Sequence, residues 1–293
     1  MTIWEGVTVA IVGGDARETE MAYLATDVGA TVRVFGTPPP RRDDIVAAAS
    51  VVQALAGARV AILPVPYPAI DGALYAPFAE VAIRIAADDL SAMTADAHLI
   101  TGKSDRFLDE AAAKAGVTVH EYEHDTDLML LRAPAIAEGA IRVAIEHSPE
   151  TIHDAQIGLV GFGRIGSTLA RALIALNAHV HVFARRHEAR AAAYALGASP
   201  HTFDEVADVF PHLNVLYNAV PALVIDDAAL EHLPKRCLVV DLAAPPGGID
   251  LGAARARDLT AVWARGLGAS APRTVARSQW IGVERIARKA LER

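Results

Sequence analysis

The chain has 293 residues, 53% of them hydrophobic and 21% charged, with a formal net charge of −8 and a pI near 5.7. That length suggests two domains of ordinary size with ample apolar material for their cores, and the acidic balance argues against nucleic acid and anionic membrane surfaces as general partners. No apolar run approaches membrane-spanning length, Met1 to Glu5 lack the basic region of a signal peptide, and Cys237, the single cysteine, lies in an apolar run that reads as core rather than as disulfide or metal ligand; a cytoplasmic protein without a metal site is expected.

The segment Ile11 to Gly36 (IVGGDARETEMAYLATDVGATVRVFG) reads as strand, glycine turn, helix and strand. Arg17 opens the helix and is a candidate clamp for a substrate carboxylate; the alternative is a surface arginine paired with Glu18 or Glu20. Prolines at 38–40 and between Pro64 and Pro68 mark loops on either side of the apolar run Val60 to Pro66. A further run, His98 to Gly102, ends in Thr101-Gly-Lys103-Ser104. This turn superficially resembles a phosphate loop, but Ala97 occupies the place of the first glycine, which excludes an ATP site. Thr101, Lys103 and Ser104 are candidate substrate contacts, or a plain polar turn. After the run Val117 to Tyr122, the amphipathic stretch Pro134 to Glu146 predicts a helix bridging two domains, with the boundary near Ser148-Pro149. Lys103, Glu138 and His147 are the candidates for catalytic proton handling, with His120 and His124 as further titratable groups near a strand end; each also reads as an ordinary solvated or satisfied residue.

Residues Gln156 to Arg186 (QIGLVGFGRIGSTLARALIALNAHVHVFARR) carry the most specific signal. A short apolar run leads into Gly161-Phe-Gly163-Arg164-Ile165-Gly166, a helical stretch follows, and an alternating run ends at Arg185 and Arg186. This is the context that the dinucleotide fingerprint requires. The first glycine permits the turn, the second lets backbone N–H groups approach a pyrophosphate, and the third lets helix and strand pack closely. An NAD site usually presents a carboxylate at the end of the second strand. Here Arg185 and Arg186 stand there and suit a 2′-phosphate, so the expected cofactor is NADP(H), unless the arginines only cap a solvated strand end. Further strands, Val215 to Pro221, Leu238 to Leu242 and Thr260 to Ala264, place Asn218, Val220 and Pro221 on the nicotinamide side, followed by Asp241, Leu242 and Ala243. Asp241 alternatively bonds only to backbone. The stretch Gln279 to Leu291 predicts a last helix that packs back on the first domain.

The two halves repeat one another: Gly13 matches Gly161, Ala30 matches Ala178, Val34 matches Val182 and Phe35 matches Phe183. About five strand-like runs per half, alternating with helices, predict an α/β fold of two tandem doubly wound, Rossmann-like parallel sheets, residues 1–148 and 149–293, with a cleft between them. In the first copy Asp15 stands in place of Gly163, and Glu18 in place of Gly166. Carboxylates there repel a pyrophosphate, so the first half is expected to serve the substrate and the second the cofactor.

These residues resemble the family formed by the A subunit of dipicolinate synthase. The likeness runs through Val12-Gly-Gly-Asp-Ala-Arg17, Leu63-Pro-Val-Pro66, Thr101-Gly-Lys103, Ala137-Glu-Gly139, the Gly161 to Gly166 turn, Val220-Pro221, Asp241-Leu-Ala243 with Pro246-Gly-Gly248, and Gly266-Leu267 followed by Ala271-Pro272. The resemblance implies an NADP(H)-dependent oxidoreductase that works with a flavoprotein-like B subunit to oxidise a dihydrodipicolinate-type cyclic dicarboxylate to dipicolinate, the spore-core chelator of sporulating bacteria. A homo-oligomer is also expected. Arg132 and Ile136 stand where the family usually has Asn and Thr, Arg273 where it often has Lys, and the loop Tyr67 to Pro77 is unlike the family's. Arg132 and Arg273 join Arg17 as candidate substrate-binding cations. Two other readings stay open: an NADP-dependent 2-hydroxy acid dehydrogenase, against which counts the absence of a histidine in the stretch after Gly266, and a non-catalytic NADP-binding protein.

Overall fold

A computed structural model of the chain describes residues 2–64, 72–123 and 125–292. The chain divides into two compact units, Met1–Leu131 with Ala271–Arg293, and Arg132–Ser270.

The first unit is built on a six-stranded, fully parallel sheet of β1 (Thr8–Val12), β2 (Thr31–Phe35), β3 (Ile45–Ala47), β4 (Val60–Ile62), β5 (His98–Thr101) and β6 (Thr118–Glu121), in the order β3-β2-β1-β4-β5-β6. Parallel strands with helices on both faces are buried on both sides and therefore read as continuous apolar runs; Val9 to Val12 are all at 0% exposure. The period-two alternation sorts these side chains. Val9 and Ile11 join the cluster of Met21, Ala22, Ala276 and Val283, supplied by α1 (Ala16–Asp27) and α11 (Pro272–Leu291). Ala10 and Val12 face the other cluster, formed with α2 (Val51–Leu55), α3 (Ala87–Leu90) and α4 (Arg106–Ala115). The helix α11 belongs to this unit, and Trp280 on it lies with its ring centroid 5.1 Å from that of Trp4.

The second unit repeats the design with β7 (Gln156–Val160), β8 (His179–Phe183), β9 (Ser199–His201), β10 (Val215–Asn218), β11 (Leu238–Asp241) and β12 (Thr260–Trp263), ordered β9-β8-β7-β10-β11-β12. One face packs on α6 (Arg164–Ala175), α7 (His187–Ala195) and the later part of α5 (Thr126–His147); the other packs on α8 (Val206–Val209), α9 (Asp227–Leu230) and α10 (Leu251–Ala256).

Each sheet has six strands rather than five. The additional ones, β3 and β9, are three-residue edge strands without apolar alternation. β9 contains Pro200, which an edge tolerates because no N–H is needed there. The division between units falls inside α5, at Leu131/Arg132, and not near Ser148-Pro149. From Arg132 onward this helix is part of the second core: Ala137, Ala140, Val143 and Ala144 are buried in it, and the buried Tyr217 hydroxyl donates to the Ala140 carbonyl at 3.0 Å.

Candidate functional site

In the second unit the three glycines of the turn have different reasons to lack a side chain. Gly161, at φ +93°, lies where a Cβ would come 2.7 Å from Val220 Cγ2, and Gly166 lies where one would come 2.2 Å from the Gly161 carbonyl. These two let the turn, the neighbouring strand end and α6 pack together. A Cβ on Gly163 would meet nothing within 4 Å. Its lack of a side chain serves no internal packing and leaves open space in front of the helix. Gly163 is also the N-cap of α6 and provides no side-chain cap. The N–H groups of Arg164 and Ile165 thus start the helix without an intrahelical partner, where the dipole favours an anion.

The rest of the cradle assembles around this turn. Gly161, Gly163, Arg185, Arg186, Val220 and Pro221 line one groove, with Phe183 and Phe203 along its wall. Arg185 and Arg186 are exposed, and neither pairs with a carboxylate among the described residues. Their loop is braced by Arg190, whose Nη1 donates to the carbonyls of Ala184 and Arg185 at 2.7 and 2.8 Å.

Asn218 and Asp241 differ from expectation. Both are at 0% exposure, so their side chains do not line the groove. Asp241 accepts from Asn218 Nδ2 at 2.8 Å and from the backbone N–H groups of Ala243, Gly248 and Ile249 at 3.0, 2.7 and 3.2 Å. Asn218 in turn donates to the Val220 carbonyl and accepts from the Val220 N–H. This internal knot fixes the backbone that carries Val220, Pro221, Leu242 and Ala243. Leu242 and Ala243 are themselves buried.

In the first unit the corresponding cradle is closed by its own chain. A Cβ on Gly14 would lie 2.3 Å from the Glu18 carboxyl group, and one on Gly13 would lie 3.3 Å from the Tyr75 carbonyl. Asp15 caps α1, and its N–H donates the reciprocal bond to Glu18 Oε2 at 2.8 Å, completing a capping box. Arg17 is not a surface group: it is 5% exposed and its Nε and Nη2 both donate to Asp15 at 2.8 Å. Burial opposes the charge on Asp15, but the Arg17 bonds prevail and hold its carboxyl below the usual range. Glu18, wholly buried, is pushed up to about 7.

Thr101 and Lys103 come together with Tyr75, Asp105 and Leu108 around a small pocket beyond the ends of β4 and β5. Thr101 is 2% exposed there. Ser104 turns away, its hydroxyl donating to Glu121 at 2.6 Å. Arg273 is far from a buried clamp: its side chain is 79% exposed and pairs with Glu20 at 3.2 Å. Arg132 is buried in the second unit, on α5, and Glu138 is exposed on the same helix. His147 is the last residue of α5, its Nδ1 3.0 Å from the Val143 carbonyl. The loop that follows enters β7 at the end opposite Gly161, so His147 does not join the cradle. His120 is turned back toward His98, with ring nitrogens 3.1 Å apart, and burial lowers both pKa values. His124 and residues 65–71 of the loop lie outside the described residues. Sequence reasoning missed Tyr75, which sits in a loop without periodicity, and Arg190, whose bracing role has no motif. Among the described residues no helix is long and apolar enough to cross a membrane and no cluster of metal ligands is present.

Comparison with known proteins gives concordant results. A family model for the N-terminal domain of the A subunit of dipicolinate synthase matches residues 8–123. Another, D-isomer specific 2-hydroxyacid dehydrogenase, NAD binding domain, matches residues 132–244. The dipicolinate synthase A subunit of Bacillus subtilis (strain 168) is 28% identical over 272 residues, covering 92% of each chain. The crystal structure of the dipicolinate synthase A subunit from Bacillus halodurans superposes with TM-score 0.87 at 27% identity, covering 97% of this chain and 98% of that one. D-lactate dehydrogenase from Escherichia coli, at 12% identity, TM-score 0.60 and coverage of 97% and 98%, shares the fold.

Proposed function

Because the chain belongs to the family of dipicolinate synthase A subunits, we propose that it is the NADP(H)-dependent oxidoreductase component that converts a dihydrodipicolinate-type cyclic dicarboxylate to dipicolinate, acting as a homo-oligomer and together with a flavoprotein-like B subunit. The observation that carries this reading is the asymmetry of the two cradles: one open at Gly163, the other filled by Glu18 and Tyr75. It supports a division of labour in which the second unit serves the cofactor and the first the diacid.

The N–H groups of Arg164 and Ile165 and the open face of Gly163 hold the pyrophosphate, and Gly161 and Gly166 keep the turn in place. Arg185 and Arg186 hold the 2′-phosphate, which favours NADP(H) over NAD(H). Val220 and Pro221 bound the nicotinamide end, fixed from beneath by Asn218 and Asp241. A bound nicotinamide dinucleotide supplies the two-electron acceptor for ring oxidation. Thr101 and Lys103 hold a carboxylate of the substrate by hydroxyl and ammonium. Lys103, holding the carboxylate as an ammonium, has no lone pair for the departing proton, and His147 is removed by its position, which leaves the exposed Glu138 as the candidate acceptor.

The test is to incubate the purified chain with NADP+ and the synthetic lysine-pathway intermediate, with and without a flavoprotein partner. Growth of pyridine-dicarboxylate ultraviolet absorbance is the expected result. The match of residues 132–244 to the 2-hydroxyacid dehydrogenase domain favours a second reading, for which turnover of small 2-keto acids with NADPH is the diagnostic. Cofactor binding without turnover of either substrate would point to a non-catalytic protein.

A further inference from the structure

One edge of the second sheet carries a chain of polar side chains that the cofactor site does not use. His181 Nε2 lies 2.8 Å from Gln156 Oε1, and His181 Nδ1 lies 3.0 Å from His201 Nε2. His201 Nδ1 lies 3.1 Å from Glu205 Oε1. The second carboxylate oxygen, Oε2, accepts from the Thr202 N–H and hydroxyl at 2.7 and 3.0 Å. The chain thus runs from β7 through β8 and β9 to the short helical turn Phe203–Glu205. That turn carries Phe203, which lines the groove together with Arg185 and Arg186, and the His201 ring stacks on Phe183 with centroids 5.2 Å apart.

The hydrogens in this chain can be counted. Gln156 Oε1 and an ionised Glu205 carboxylate only accept. With acceptors at both ends, the three contacts demand three ring hydrogens, and two neutral imidazoles supply two. With the amide oxygen toward His181, the pair therefore holds one extra proton. His201 is its seat, because it faces the carboxylate; burial, aided by His201, His179 and His212, lowers His181 to about 4. Glu205 stays ionised, held at about 2 by the Thr202 N–H first and by His201 next. When the proton leaves, the amide turns and offers its NH2 to His181 Nε2. Each ring then keeps a single hydrogen and every contact survives. Only the charge changes, since Glu205 is left without its offset two residues from the groove wall. The other charged or titratable groups around the chain are His179, 2.8 Å from Asp154, His212, the exposed Asp204 and Asp208 beside Glu205, and Arg185 and Arg186 on the groove, followed by His187, which lies 2.8 Å from Arg190 Nη2.

We propose that Gln156, His181, His201 and Glu205 form a one-proton switch that tunes the adjoining groove for a phosphorylated cofactor. With the proton aboard, the Glu205 charge is neutralised and a 2′-phosphate is held by Arg185 and Arg186 without opposition. With the proton gone, the uncompensated carboxylate repels the phosphate, and a cofactor that lacks it is little affected. This rests on the NADP(H) reading above. The sign is that NADPH binding favours the protonated chain, so its affinity falls as pH rises through the histidine range.

Two measurements on the full chain test it. Ring nitrogen shifts from NMR of protein carrying 15N-histidine, assigned with His181→Gln and His201→Gln, read the proton count from about pH 5 to about pH 9. His201 is expected to start with both nitrogens protonated and to lose one hydrogen, while His181 stays neutral throughout. Fluorescence titrations with NADPH and NADH over the same range then compare the parent with Glu205→Gln. Glutamine can keep the cap at Thr202 but carries no charge. Because both proteins meet the same cofactor phosphate, the ratio of their Kd values isolates the switch. For NADPH at low ionic strength the parent is expected to match the variant at the acid end and to bind about threefold more weakly at the alkaline end, the scale of one unit charge acting through a partly aqueous groove; for NADH the ratio is expected to stay near one. A purely structural role for Glu205 would shift both cofactors alike at every pH. Two neutral rings across the whole range, or parallel NADPH profiles in parent and variant, overturn the inference and leave the cofactor reading intact. Absence of NADPH binding in both proteins overturns the cofactor reading and the inference with it.

Discussion

Gly163 and Gly166 make opposite demands, and alanine at each separates cofactor binding from folding. At Gly163 the backbone is extended, φ −94° and ψ −158°, which any residue adopts, and an added methyl meets no protein atom within 4 Å. Gly163→Ala should leave stability within about 0.5 kcal/mol of the parent. The methyl would nevertheless project into the space where backbone must approach a pyrophosphate, and NADPH affinity should fall at least about tenfold, a loss of about 1.4 kcal/mol. At Gly166 the methyl would sit 2.2 Å from the Gly161 carbonyl, inside any real contact distance. Helix and strand must separate, and such overpacking costs about 1–3 kcal/mol. For a unit of this size that is a drop of about 4 °C in Tm per kcal/mol. Fluorescence titration with NADPH and scanning calorimetry read the two effects. Unchanged cofactor affinity in Gly163→Ala, or an unchanged Tm in Gly166→Ala, would refute the assignment of roles.

Replacing Arg185 and Arg186 with Ala should weaken NADP(H) by about tenfold per guanidinium and leave NAD(H) nearly unaffected; equal losses in parallel titrations would remove the 2′-phosphate assignment. Arg17→Ala strands the buried Asp15 carboxylate and should cost about 3–5 kcal/mol in denaturant unfolding, far more than loss of a surface pair; a change below about 1 kcal/mol, the range of an exposed pair, would contradict the burial. Asp241→Asn turns an acceptor of four bonds partly into a donor facing N–H groups and should cost about 3 kcal/mol, with the loss of cofactor affinity following from the displaced loop. Glu18 is raised from 4.5 to about 7 in the native state. The native protein thus keeps a proton that the unfolded chain releases, so stability falls as pH rises from about 4.5 to about 7 and levels off above, by up to about 3 kcal/mol. Glu18→Gln should abolish that slope, which urea unfolding across the range checks.

The cofactor cradle was legible because its signal is chemical necessity within six consecutive residues: only glycine satisfies Gly161 and Gly166, and strand and helix patterns flank them. The duplication was legible for the same reason, since both sheets are buried on two faces and spell themselves as apolar runs. The closure of the first cradle was visible only in part. Asp15 and Glu18 announced an unfriendly site for phosphate, but the plug itself arrives with Tyr75, about sixty residues later in a loop that no periodicity describes. The fate of Arg17 is hidden because a sequence does not disclose that the carboxylate two residues away will engage its Nε and Nη2. Asn218 and Asp241 stand at the strand ends where cofactor contacts occur, yet only the fold reveals that the chain after β11 curls over them. The edge strands β3 and β9 are silent in the sequence because three residues, mostly unburied, are too few to spell the continuous apolar run that marks the interior strands.

The first unit is made from both ends of the chain. While the ribosome is still extending residues 132–270, the sheet around β1 lacks α11, and Trp4, Met21 and Ala22 have no cover from Ala276, Trp280 and Val283. The later-translated unit therefore has all its parts first, which inverts the usual order of folding during synthesis. Until Ala271 and the residues after it emerge, Trp4, Met21 and Ala22 form an apolar flank without its cover.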